Sequence, residues 1–122
     1  MGNVEIKRVY EAAESDDGYR VLVDRIWPRG IKKDDAELDL WLKEAGPSDE
    51  LRKQFGHVAR KFPAFAKAYR KELDGSEALE KLLSLARDKE RLCLLYGAKD
   101  EEHNQAVVLR SVIGEQLGTG RA

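Results

Sequence analysis

Cysteine is nearly missing from this chain, with Cys93 the single thiol among 122 residues. No internal disulfide framework can form, and one thiol fits a reducing compartment, so a cytoplasmic location is expected. Histidine is almost as scarce. His57 and His103 stand far apart with no cysteine pair beside them, so there is no zinc-ligand spacing and no metal site is expected. The sequence also has no Gly-rich phosphate loop, no nucleophile elbow and no zinc-protease helix motif, and no residue pattern specifies a cofactor. No apolar run approaches the roughly 20 residues that cross a membrane. The start, Met1-Gly2-Asn3-Val4-Glu5, has neither a basic n-region nor an apolar h-region, so no signal peptide is expected. After Gly2, Ile6 stands where a myristoylation signal requires Ser or Thr. Net charge is −1, which argues against a general nucleic-acid or membrane binder.

What remains is an ordinary soluble composition, 42% hydrophobic and 37% charged. A chain of this length is read as one domain over residues 1–122, able to bury about two thirds of its unfolded surface. Val4 to Tyr10 alternates and reads as a strand near a sheet edge, because charges are frequent. Tyr19 to Ile26 reads as the central strand, with Val21, Leu22 and Val23 suited to burial on both faces. Leu38, Trp41, Leu42 and Ala45 recur at helical spacing, which predicts a helix capped by Asp34 or Asp35 and stopped by Gly46-Pro47. Ser48 is expected to cap a short helix carrying Leu51 and Phe55. Pro63 opens a third helix with Phe62, Phe65, Tyr69 and Leu73, and Ser76 caps a fourth with Leu79, Leu82, Leu83 and Ala86. Leu92 to Tyr96 is a continuous apolar run after a helix, the pattern of a fully buried parallel strand. A last helix is expected from about Asn104 to Leu117, with residues 118–122 fraying. Strands separated by helices predict an α/β domain, a small and mostly parallel sheet flanked by helices.

Such sheets bind ligands beyond the carboxyl ends of their strands. Two strands here end in polar loops, Asp24 to Lys33 and Gly97 to Asn104, which open on one edge if the strands are parallel. Asp24 is a candidate general base, a hydroxyl acceptor or a loop cap. In an extended strand it points away from Arg25, so the two are not expected to pair. Arg25 and Arg29 offer planar forks for phosphate or carboxylate, whether on a ligand or on the protein. Trp27 suits either stacking on a ligand or the core, and Tyr96 suits an apolar wall. His57 and His103 are candidate acids or bases, or structural hydrogen-bond formers. Lys99 is either a phosphate partner or a solvated lysine. Asn104 could orient an anion at the last helix's N-terminus or simply cap that helix, a role Asp100 could also fill. Cys93, inside an apolar strand, reads as a small hydrophobe.

Charge is segregated. Residues 34–50 carry seven acids and one base, whereas residues 52–71 carry seven bases and no acid: Arg52, Lys53, Arg60, Lys61, Lys67, Arg70 and Lys71. A solvated basic face is the default reading. A surface for nucleic acid or an acidic protein is the alternative.

Four segments together resemble a known family. They are Val21-Leu22-Val23-Asp24-Arg25-Ile26-Trp27-Pro28-Arg29-Gly30-Ile31, Trp41-Leu42-Lys43-Glu44, Leu51-Arg52-Lys53-Gln54-Phe55-Gly56-His57, and Leu94 to Leu109 through Gly97-Ala98-Lys99-Asp100-Glu101-Glu102-His103-Asn104. They resemble the YeaO-like branch of the domain-of-unknown-function 488 family, in order and over nearly the whole chain. The resemblance implies a compact α/β domain with no established activity. The wider family carries a cysteine at the last strand's end and a Cys-His-Arg group opening the following helix. Here Tyr96 and His103-Asn104-Gln105 stand near those positions, which puts any thiol chemistry in doubt. The sequence reading is therefore a site for a small anionic or nucleotide-like ligand, enzymatic or not. A nucleic-acid or protein-binding module built on residues 52–71 is the less favoured alternative, and the oligomeric state is left open.

Overall fold

Alternation and turn chemistry resolve into four strands and five α-helices within residues 3–117, the part of the chain described by a computed structural model. In order these are β1 (Asn3–Arg8), β2 (Tyr19–Leu22), α1 (Lys33–Ala36), β3 (Leu40–Trp41), α2 (Asp49–Phe55), α3 (Phe62–Leu73), α4 (Glu77–Asp88), β4 (Arg91–Tyr96) and α5 (Gln105–Leu117). The strands form one parallel sheet in the order β1-β4-β2-β3. This is the expected single α/β domain, with β1 at an edge. No helix among the described residues is long and apolar enough to cross a membrane. The frayed tail expected at 118–122 lies outside the described residues.

Period-two alternation divides the sheet's side chains between two faces. Val21, Val23, Leu92, Leu94 and Tyr96 join α2, α3, α4 and α5 in the main core. Leu22, Cys93 and Leu95 point the other way, into a smaller core with Val9 that is closed by Trp27, Ile31, Leu38 and Trp41. Trp27 and Trp41 meet edge to face, ring centroids 5.2 Å apart. Cys93 is thus a packing residue, and burial pushes its thiol up to about 11. Side-chain caps start three helices. Ser48 Oγ accepts Leu51 N–H at 3.2 Å, Ser76 Oγ accepts Leu79 N–H at 3.1 Å, and Asn104 Oδ1 accepts Val107 N–H at 3.1 Å.

One expected helix is replaced. The stripe Leu38, Trp41, Leu42 and Ala45 predicts a helix up to Gly46, yet α1 stops at Ala36, where Glu37 turns left-handed (φ 49°, ψ 51°). Neither Asp34 nor Asp35 caps it; both lie in its first turn, behind Lys32. Leu40 and Trp41 then pair with Val21 and Leu22 as β3, and Lys43–Ala45 forms one 3-10 turn. The cause is the open edge of β2, whose backbone groups need partners. Asp39 N–H donates to the Arg20 carbonyl and Leu42 N–H to the Leu22 carbonyl, both at 2.9 Å. The Asp39 carboxylate accepts Arg20 N–H at 2.8 Å. Strand β2 is also shorter than expected: it ends at Leu22, although Val23 N–H still donates to the Leu95 carbonyl at 3.0 Å.

Arg20 holds this arrangement from inside the sheet, only 5% exposed. Its guanidinium pairs with Asp17 and donates to the carbonyls of Ala36 and Glu37, each at 2.9 Å. It therefore fixes the left-handed end of α1 onto β2. Asp17 is also met by Lys7 at 3.1 Å. Arg20→Met keeps a long apolar stem but strands two carbonyls and half of Asp17's pairing. Urea unfolding should show a loss of about 3–5 kcal/mol; a loss under about 1 kcal/mol, the level of an ordinary surface change, would mean the guanidinium is not what holds the turn.

Candidate functional site

Strands β2 and β4 are parallel neighbours, so their carboxyl ends open on the same edge. The two polar loops meet there, and Asp24 joins them. Its Oδ2 accepts the Gly97 N–H at 2.9 Å, and its Oδ1 accepts from the side-chain amide of Gln105 at the start of α5. Gly97 is needed for this approach, because a Cβ there would stand 2.8 Å from Asp24 Oδ2. Burial pushes the Asp24 carboxyl up to about 6, with the two hydrogen bonds opposing that rise.

Beyond Leu22 the chain has left the sheet, so strand alternation no longer separates Asp24 from Arg25. Both line one cavity of about 220 Å3. As expected they do not pair with each other. Arg25 donates from Nε to the Pro47 carbonyl at 2.8 Å and from Nη2 to the Gly46 carbonyl at 2.9 Å. Gly46 packs so closely that a Cβ would lie 2.8 Å from the Arg25 backbone nitrogen. The sequence marks Gly46-Pro47 as a helix stop, whereas in the fold it is the seat of Arg25.

Arg29 lies on the same cavity with its side chain exposed and no hydrogen bond or ion pair among the described residues. Its carbonyl accepts the Tyr10 hydroxyl at 2.7 Å, which ties this loop to the segment after β1. Arg52 of α2 is a third arginine on the cavity. It pairs with Asp49 at 2.8 Å, while its buried Nε lacks a partner. Phe55 and Phe65 add apolar surface as a stacked pair with centroids 4.4 Å apart. Tyr10 and Ile26, the large hydrophobics left exposed among the described residues at 42% and 57%, both line the cavity.

His57 lines it too, exposed, with a left-handed backbone (φ 58°) directly after the left-handed Gly56 (φ 54°). Asn104 also borders the cavity, but it is 1% exposed and occupied as a helix cap, with its Nδ2 donating to the Asp100 carbonyl at 2.9 Å. The remaining candidates lie elsewhere. His103 Nδ1 bonds Asp100 at 2.8 Å, and its ring stands edge-on to Phe62 at 5.2 Å. Trp27 donates to the Ile31 carbonyl at 2.7 Å within the smaller core. Tyr96, 2% exposed, belongs to the main core, and Lys99 is exposed. Tyr96 also borders a wider depression of about 400 Å3 beside β1, where Glu14, Asp16 and Asp17 gather. Lys7 and Arg20 already meet two of those acids, so the Asp24 cavity is the better candidate.

The sequence therefore picks out Asp24, Arg25, Arg29, His57 and Asn104 of the cavity and misses Arg52, Gln105, Phe55 and Phe65 as site residues. Arg52 is visible only as part of the basic run. Gln105 carries no signal, since its role comes from where α5 begins.

A family profile described as the inactive DUF488-N3 subclade matches residues 3–121. The chain belongs to the DUF488 family. It is 50% identical over 107 residues to the uncharacterized protein YeaO of Escherichia coli (strain K12), covering 88% of this chain and 93% of that protein. It is also 50% identical over 82 residues to the uncharacterized proteins Mb3100c of Mycobacterium bovis and Rv3073c of Mycobacterium tuberculosis, covering 67% of this chain and 70% of each. No solved structure matches. The resemblance drawn from the four segments 21–31, 41–44, 51–57 and 94–109 is thereby confirmed.

Two consequences are measurable. A carboxyl raised to about 6 stabilises the fold fully below its unfolded value near 4 and loses that contribution as pH rises to about 6. Asp24→Asn keeps an acceptor for Gly97 N–H and removes the charge. It should flatten the decline of stability between pH 4 and 6 and raise stability at pH 7 by up to about 3 kcal/mol; an unchanged pH profile would contradict the assignment. His57→Gly should stabilise by about 1 kcal/mol, because glycine relieves the left-handed backbone. Thermal unfolding of that variant reads the effect.

Proposed function

We propose that the domain binds a small anionic ligand at the carboxyl edge of its sheet, and that it acts as a binding protein rather than an enzyme. The observation that carries this reading is the free Arg29 guanidinium, which shares one cavity with Arg25 and Arg52. Guanidinium forks recognise carboxylate and phosphate oxygens in pairs, and more strongly beside apolar surface than in open water. Asp24, bonded to the Gly97 N–H and the Gln105 amide, joins the loops that shape the cavity and does not itself hold the anion. His57 stands on the same cavity as a donor or acceptor.

The family description "inactive" supports binding without turnover. So does the chemistry of the nucleophile candidates. The one thiol lies in the smaller core with its pKa pushed up to about 11, and a thiol so high is a poor nucleophile. Tyr69 is buried, its hydroxyl donating to the Ala45 carbonyl. A buried, lone thiol also suits a cytoplasmic protein.

Part of the basic segment is committed within the fold. Arg52 pairs with Asp49, and Arg70 pairs with Glu115 while donating to Ser111 at 2.9 Å. Lys53, Arg60, Lys67 and Lys71 stay exposed and make nucleic acid the second reading. In that case affinity would fall by about one log unit per log unit of salt for each phosphate neutralised.

A thermal-shift screen against simple anions, small organic acids, sugar phosphates and nucleotides tests the first reading. A ligand at about a hundred times its dissociation constant stabilises by roughly 2.7 kcal/mol, a shift of several degrees at this size. Arg29→Ala should cut that shift to about half or less and change the ligand-free stability by no more than about 0.5 kcal/mol, since the side chain is exposed. A shift that survives undiminished in the variant overturns the reading.

A further inference from the structure

We infer that the ligand is a compact apolar monocarboxylate, about one aromatic ring with its carboxylate, held with its body against Phe55 and Phe65 and its carboxylate on Arg29. This rests on the small-anion reading above and narrows it.

Volume sets the size. An apolar cavity of about 150 Å3 accepts benzene, whereas sites for drug-sized ligands and cofactors begin near 300 Å3. A cavity of about 220 Å3 therefore holds one ring with a carboxylate. A base, sugar and phosphate together would have to extend out of it into solvent.

Charge sets the valence. Arg25 has committed Nε and Nη2 to carbonyls, and Arg52 is paired with Asp49. Arg29 alone among the cavity's arginines lacks a partner among the described residues. Asp24 brings an acid into the same space. The carbonyls are neutral and leave the Arg25 charge in place, but Asp24 offsets it as Asp49 offsets Arg52, so one positive charge remains, a match for a carboxylate and not for the two charges of a phosphate monoester. A single guanidinium also matches the two-oxygen edge of a carboxylate.

Apolar surface sets the body. The stacked Phe55 and Phe65 rings, Pro28 and Pro47 line the cavity, and the exposed Ile26 extends it outward. An inorganic anion would leave all of this unused. A ring would pack against it and cover Ile26, which otherwise faces water.

Isothermal titration of the whole chain with four probes decides the matter: benzoate, its neutral counterpart benzamide, inorganic phosphate and adenosine monophosphate. Benzoate should bind one to one, and each of the other three at least about ten-fold more weakly, given the strength of a charge-assisted hydrogen bond. Arg29→Ala should weaken benzoate by a similar factor. Equal affinity for benzoate and benzamide overturns the inference, because the charge is then not read. Benzoate silent at millimolar concentration, with phosphate or adenosine monophosphate binding through Arg29, overturns it too while leaving the small-anion reading intact. If all four are silent the inference also falls, and the anion reading is then judged by the wider screen alone.

Discussion

Strand β4 is buried from Leu92 to Tyr96, and that constraint organises the rest of the molecule. A strand buried on both faces must give its N–H and C=O groups to neighbours on both sides. Strand β1 takes one side in a six-residue parallel register, and β2 takes the other, from Tyr19 against Leu92 to Leu22 against Leu95. Parallel pairing in turn demands long crossovers, which here contain every helix but the last. It also sends the ends of β2 and β4 to one edge, so the two polar loops meet without any other device.

What the loops build there follows from the last residues of each strand. Asp24 emerges one position after the buried Val23 and finds the Gly97 amide across the β2–β4 boundary. The carboxyl is held where water is scarce and where α5 contributes only the neutral Gln105 amide, so its proton is retained to a higher pH than in solution. Arg25 turns toward the Gly46 and Pro47 carbonyls and closes one wall. The Arg29 guanidinium has no hydrogen bond or ion pair among the described residues, while its carbonyl accepts the Tyr10 hydroxyl.

The two faces of the sheet are covered by different means. Four helices close the larger core, while the smaller one depends on Trp27, Ile31, Leu38 and Trp41, carried by the segment between β2 and the 3-10 turn. That segment is held by Arg20 from below and by the Trp41 Nε1 donation to the Asp24 carbonyl at 2.8 Å from above. The same residues that cover the sheet therefore set the backbone of the candidate site, and the geometry of Asp24 is tied to the packing of the second core.

Read alone, the sequence determined the α/β class, the buried parallel strand at Leu92 to Tyr96, four of the helices, the family, and five residues of the cavity. These follow from signals local in the chain: apolar runs, serine caps, and acids and arginines directly after a strand. Only the tertiary structure decided the rest. The stripe Leu38, Trp41, Leu42 and Ala45 suits a helix and a strand with its following turn equally well, and the open edge of β2 chose the strand. His103 and Lys99 look as functional as His57 in the sequence, but the path of the loop into α5 gave His103 to Phe62 and Asp100 and left Lys99 off the cavity. Arg52, Gln105 and Phe65 entered the site because three helices converge on one edge. That convergence depends on packing between residues distant in the chain, and local pattern carries no record of it.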